Sequence, residues 1–140
     1  MKPKFGEILK AGALAGVVSA VVNAVIFFIT HAMGFIPDSV LVQGQPMSVV
    51  PVVISSFLPS LIAAAVYFLF AKYSQNGYRN FSVVALVLLV LSFAQAPMMI
   101  PNVPLSMTVS LNIMHVVVVA SLLFFLKRVQ PRAEVNYRIV

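Results

Sequence analysis

Residues 11–33 read AGALAGVVSAVVNAVIFFITHAM, without one Lys, Arg, Asp or Glu. About 20 predominantly apolar residues are what an α-helix needs to cross the hydrocarbon core of a bilayer. Three further runs of this kind follow, at 49–71, 81–100 and 105–126. Backbone N–H and C=O groups in lipid must be satisfied within the chain, so such runs form helices or a closed barrel. Barrel strands alternate apolar and polar residues, whereas VALVLLVL (84–91) and VVVVASLLFFL (116–126) do not. The sequence therefore predicts an all-α integral membrane four-helix bundle, a single membrane domain over residues 1–140.

Composition agrees. Of 140 residues, 61% are hydrophobic and 9% charged, against roughly 25% charged in an ordinary soluble domain. There is no cysteine, which excludes disulfides, thiolate metal sites and thiol redox chemistry.

The charges set an orientation. Lys2, Lys4 and Lys10 precede the first run, Lys72 and Arg79 lie between the second and third, and Lys127, Arg128, Arg132 and Arg138 follow the fourth. The other two connections carry no Lys or Arg. The positive-inside rule places both termini and the middle connection in the cytoplasm, in a multi-pass protein of the cytoplasmic membrane. The net charge of +6 thus reads as membrane orientation; the expected partner is the lipid bilayer, and no nucleic acid. A cleaved signal peptide is the rival reading of the first run, but the run exceeds the usual 7–15-residue apolar core of one.

The outer connections differ in kind. Residues 34–48 hold Pro37, Asp38, Gly44 and Pro46 around Val40-Leu41-Val42, either a packed loop or a segment dipping into the headgroups. The other contains Pro97, Pro101 and Pro104, which break a helix and favour extended chain, so the third helix is expected to end between Ala96 and Ile100.

Depth is counted from the basic residues at about 1.5 Å per residue. Asn23 lies beyond Lys10, Ser60 before Lys72, Ser92 beyond Arg79 and His115 before Lys127, each by twelve or thirteen residues. All four fall about 18–20 Å from the inner boundary, one polar side chain per helix in one layer. Thr108, Asn112 and His115 form a stripe on the fourth helix, Ser19 and Asn23 on the first, Ser56 and Ser60 on the second, and Gln95 lies one turn beyond Ser92. Polar groups avoid lipid, so these stripes are expected to face the interior. Asn23, His115, Ser60, Ser92, Asn112 and Gln95 are the candidate ligand-binding or polar-core residues. The competing explanation is interhelical hydrogen bonding, worth about 0.6 kcal/mol per pair.

No catalytic residue is assigned. The acids, Glu7, Asp38 and Glu134, lie outside the four runs, at the wrong depth to orient His115 in a triad. His31 lies near the outer interface, so no second His shares the layer of His115, and no cofactor or metal is expected. Gly12 and Gly16, continued by Ala20 and Ala24, form a small-residue stripe that admits a close helix. It serves either packing within the chain or a homo-oligomer or membrane partner. Pro59 inside the second run frees the carbonyl of Ser55 and kinks the helix beside the polar layer.

AGALAGVVSAVVNAVIFF (11–28), with Asn23, and NIMHVVVVASLLFFL (112–126), with His115, resemble the first and fourth helices of a bacterial family of small four-helix integral membrane proteins of unknown function. The resemblance implies a bacterial inner-membrane location and a four-helix bundle, and carries no activity. The leading expectation is a non-enzymatic membrane module that binds a small or lipophilic molecule, or assists a partner, through the midplane polar layer. The alternatives are a transporter or channel subunit that forms a pathway as an oligomer, and an enzyme using His115.

The charge distribution makes a direct prediction. A cysteine introduced at Gly44 reacts with an impermeant thiol reagent added outside the cell, and one at Asn76 does not; equal labelling or the reverse pattern contradicts the orientation.

Overall fold

The structure is a computed structural model that describes residues 2–130; Arg132, Glu134 and Arg138 lie outside them. It is all-α apart from one two-residue hairpin. The helices are α1 (Phe5–Ala32), α2 (Val49–Tyr73), α3 (Gly77–Ser92), α4 (Gln95–Met99) and α5 (Leu105–Arg128), and strands β1 (Leu41–Val42) and β2 (Gln45–Pro46) pair between α1 and α2. Three helices, α1, α2 and α5, are long and apolar enough to cross a membrane. Their outward faces are apolar, with Leu14, Val21, Phe28, Ile62, Leu69 and Phe124 all exposed, as a helix surrounded by lipid requires.

α1 begins six residues before the apolar run, at Phe5. The first helical N–H groups lack intrahelical partners, and Glu7 answers the backbone N–H of Lys4 with its Oε2 at 3.0 Å. At the other end Gly34 takes φ +73°. Its N–H donates to the His31 carbonyl at 2.9 Å and the Phe35 N–H to the Thr30 carbonyl at 2.8 Å, a Schellman closure that needs a left-handed residue. The loop then folds back on the bundle. Gln43 and Gly44 both have positive φ, the requirement of a two-residue hairpin turn. Val40, Val42 and Met47 pack against the core with Ile36, so this is a packed loop. Gln45, beside left-handed Gly44, is the less strained site for a labelling cysteine.

The apolar run at 81–100 is divided. α3 starts at Gly77 and ends at Ser92, and α4 follows after Phe93 and Ala94. Pro97 has no N–H to give the Phe93 carbonyl and its ring crowds that position. The chain tightens there, with Phe93 N–H on the Val90 carbonyl at 3.2 Å and Ala94 N–H on the Leu91 carbonyl at 3.3 Å.

α1 packs most extensively on α2 and next on α5, while α2 and α5 touch each other little. α3 lies against α2 and α5, burying only Gly77 and Phe81. Tyr78, at the start of α3, donates its hydroxyl to the Leu123 carbonyl near the end of α5 at 3.1 Å. Ser106, at the start of α5, donates to the Phe35 carbonyl beyond α1 at 3.2 Å. Between residues 77 and 105 the chain therefore travels from one end of the bundle to the other. Lys2 Nζ bonds the Lys72 carbonyl, which joins the N-terminal segment to the end of α2. Two apolar clusters form the core. One gathers Ile8, Ala15, Ala64, Tyr67, Phe81 and Leu126 at the basic end; the other gathers Phe27, Ile36, Val52, Ile100, Met107 and Met114 at the opposite end.

The Gly12 and Gly16 face is covered by α2 of the same chain. A Cβ at Gly12 would collide with the Ala64 side chain and lie 3.0 Å from the Ser60 carbonyl oxygen; one at Gly16 would lie 2.8 Å from the Phe57 ring. Gly16→Leu therefore lowers stability by about 1–3 kcal/mol through overpacking, read as a lower melting temperature in detergent. An unchanged melting temperature with an altered oligomer size places the stripe at a contact between chains instead.

Candidate functional site

Between the two apolar clusters lies a band of buried polar side chains: Ser19, Asn23, Ser56 and Ser60. They fall at four-residue intervals on the facing surfaces of α1 and α2, where a helix repeats its face. Asn23 is 1% exposed. Its amide Nδ2 donates to Ser56 Oγ at 2.9 Å and to the Met114 carbonyl at 3.1 Å, so one side chain ties α1 to both α2 and α5. Ser56 passes its own proton to the Val52 carbonyl at 2.7 Å. Ser19 donates to the Gly16 carbonyl at 3.2 Å, with the Ser56 carbonyl at 3.5 Å.

The Met114 carbonyl can only accept, which fixes the orientation of the Asn23 amide. Its Oδ1 is directed elsewhere, buried and without a hydrogen-bond partner among the described residues. His115 Nδ1 is likewise buried and unpartnered. Both residues line a cavity of about 50 Å³ with Ser55, Ser56, Val52, Met47, Leu111, Met114 and Val118. Its lining comes from α1 (Asn23), α2, α5 and the loop before α2 (Met47). Pro59 cannot donate to the Ser55 carbonyl, so a further acceptor lies on this stretch of α2. The volume admits a few waters or one polar group of a larger molecule.

The depth count puts Asn23 and His115 in one layer; both line this cavity. Ser60 lies one turn nearer the basic end, fully buried, donating to the Ser56 carbonyl at 2.8 Å; the residue level with Asn23 is Ser56. The offset has a simple cause. Lys72 meets Lys2 and not Lys10, so the two basic residues used as depth marks do not lie in one plane. Asn112 stands on the α5 face next to the cavity lining, with its Oδ1 buried and unpartnered. Ser92 closes on its own helix, donating to the Leu89 carbonyl at 2.6 Å, and Gln95 is exposed at the start of α4; neither reaches the cavity. Ser55 and Met47 join the lining without having been singled out. Ser55 had a signal in Pro59, four residues on; Met47 had none, because only the folded loop brings it in.

His31 has a structural task. Its ring stacks on Phe27 at 5.5 Å, Nδ1 meets the Ile36 carbonyl at 2.9 Å, and Nε2 lies 3.8 Å from Asp38 Oδ1. These contacts fasten the end of α1 to the loop that follows.

Residues 3–132 match the Family of unknown function (DUF6069), and the chain belongs to that family. No curated protein and no solved structure matches it.

The Asn23 contacts generate a double-mutant prediction. Ser56 keeps its bond to Val52 when Asn23 is lost, so Asn23→Leu strands no buried donor, and the coupling between Asn23→Leu and Ser56→Ala is about 0.6 kcal/mol. Unfolding titrations of the four proteins measure it; a coupling near zero means that the amide does not bond the hydroxyl.

Proposed function

We propose that this member of a family of unknown function is a bacterial cytoplasmic-membrane module that binds a small molecule without transforming it, in the cavity between α2 and α5. The observation that carries the reading is the pair of buried, unpartnered polar atoms, Asn23 Oδ1 and His115 Nδ1, on one small cavity. A buried polar group left without a partner costs about 1–3 kcal/mol, so two on one cavity favour an occupant. The chemistry of the pair narrows it. Asn23 Oδ1 accepts only, while His115 Nδ1 donates or accepts according to tautomer. The ligand therefore carries at least one O–H or N–H, such as an alcohol, amide or amine, and an acceptor-only carboxylate is disfavoured. The Leu111, Met114, Val118 and Val52 walls suit an apolar remainder lying toward the open side. Among the described residues no acid lines the cavity.

In this reading the chain crosses the membrane four times, with both termini in the cytoplasm. At about 1.5 Å per residue α3 spans about 24 Å, short of the roughly 30 Å core, and α4 with the proline-rich segment supplies the rest of the fourth crossing. The return of the chain between Tyr78 and Ser106 from the basic end to the opposite end supports that count.

Among the described residues His115 makes no hydrogen bond, so its removal tests binding without dismantling the fold. His115→Leu should leave the melting temperature in detergent within a few degrees of the parent. Mass spectrometry of small molecules retained on purification should then show a near-stoichiometric species in the parent that is lost in His115→Leu. Identical retained species in both proteins refute the site.

A further inference from the structure

A cavity larger than the central one lies elsewhere in the described residues. A groove of about 520 Å³ lies at the basic end, lined by residues of the N-terminal segment, the end of α2, the 74–76 connection, the start of α3 and Gln130. That volume is in the range of small-molecule sites. Among the described residues two cations line it, Lys2 and Arg79, and no Asp or Glu does. We infer that this groove binds the phosphate group of an anionic ligand.

Four features converge on that chemistry. Arg79 forms no ion pair among the described residues, and its planar guanidinium suits a bidentate hold on phosphate. Gln130 brings a side-chain amide to the lining, a further group able to donate to phosphate oxygens. Gly77, Tyr78 and Arg79, the first turn of α3, line the groove, and their N–H groups have no intrahelical acceptor. The preceding Asn76 makes no side-chain cap, so the positive end of the α3 dipole is not answered by its own chain. The opposing carbonyls at the end of α2 are partly occupied: the Phe70 carbonyl accepts from Ser74 N–H at 2.9 Å, and the Lys72 carbonyl from Lys2 Nζ. Tyr67, Tyr73 and Tyr78 complete the lining, amphipathic side chains of the sort found at a headgroup boundary. Gly77 makes the turn possible, because a Cβ there would lie 2.6 Å from the Phe70 carbonyl oxygen.

Phosphate can arrive on a lipid headgroup or on a soluble compound, and two measurements separate these. The full chain is reconstituted in vesicles of equal parts phosphatidylcholine and phosphatidylglycerol, extracted in mild detergent, and its retained lipids are counted by native mass spectrometry. The parent retains phosphatidylglycerol preferentially. Lys2→Gln with Arg79→Gln reduces that preference about 25-fold, given roughly fivefold per cation near a membrane surface. Lys127→Gln with Arg128→Gln removes the same charge outside the groove and changes the preference much less than the groove variant does. Separately, inorganic phosphate is titrated into protein in nanodiscs of phosphatidylcholine alone while tyrosine emission is followed; the chain has no Trp, so the groove tyrosines are visible. A saturable change that the Lys2/Arg79 variant loses identifies soluble phosphate as ligand, and lipid preference without it identifies the headgroup. Absence of both responses, or equal loss in the two double variants, overturns the site.

Discussion

The close approach of α1 and α2 governs the rest of the bundle. In lipid there is little hydrophobic drive between helices, so association depends on packing and on hydrogen bonds that close contact permits. Gly12 and Gly16 remove the side chains that would hold the helices apart, and Ala64, the Ser60 carbonyl and Phe57 fill the space. That contact fixes the register, and the register places Asn23 against Ser56 two turns further on. α5 then completes the set, because the remaining Asn23 proton reaches the Met114 carbonyl. One small-residue contact thus determines which polar groups meet at mid-bundle.

The interior is layered in consequence. Aromatic and aliphatic side chains fill both ends, and the serines and Asn23 occupy the space between. Most of the serines return their protons to carbonyls of their own helices, which satisfies them in lipid at the expense of interhelical bonding. Asn23 has too many hydrogen-bonding positions to be satisfied this way. It bonds two neighbouring helices and, among the described residues, still keeps a free acceptor on the cavity.

Irregular chain is confined to the two ends, where water or protein can satisfy the backbone. At one end the Schellman closure after α1, the hairpin and the proline-rich segment form a cover over Phe27, Ile36 and Met107. At the other the 74–76 connection leaves the start of α3 uncapped beside Lys2 and Arg79. The two cavities differ in character: a small one in the middle lined by uncharged amide, hydroxyl, imidazole and apolar groups, and a wide groove at the basic end lined by Lys2 and Arg79.

The apolar runs alone determined that the chain is helical and belongs in a membrane, because their length and lack of charge leave the backbone no other way to satisfy itself. They also determined that Asn23 and His115 lie at comparable depth. The sequence did not reveal that Ser56 rather than Ser60 meets Asn23, nor that Ser92 and Gln95 stand apart. Depth counting assumes that every basic residue marks the same plane, whereas Lys10 sits within α1 and Lys72 lies level with Lys2. The division of the third run at Pro97 was only half legible: the prolines announced a break, but its place depends on the carbonyl four residues earlier. The groove was not legible at all. Lys2, Arg79 and Gln130 are distant along the chain, and only the packing of α2, α3 and α5 gathers them, since charge spacing along a sequence carries no information about which helix ends become neighbours.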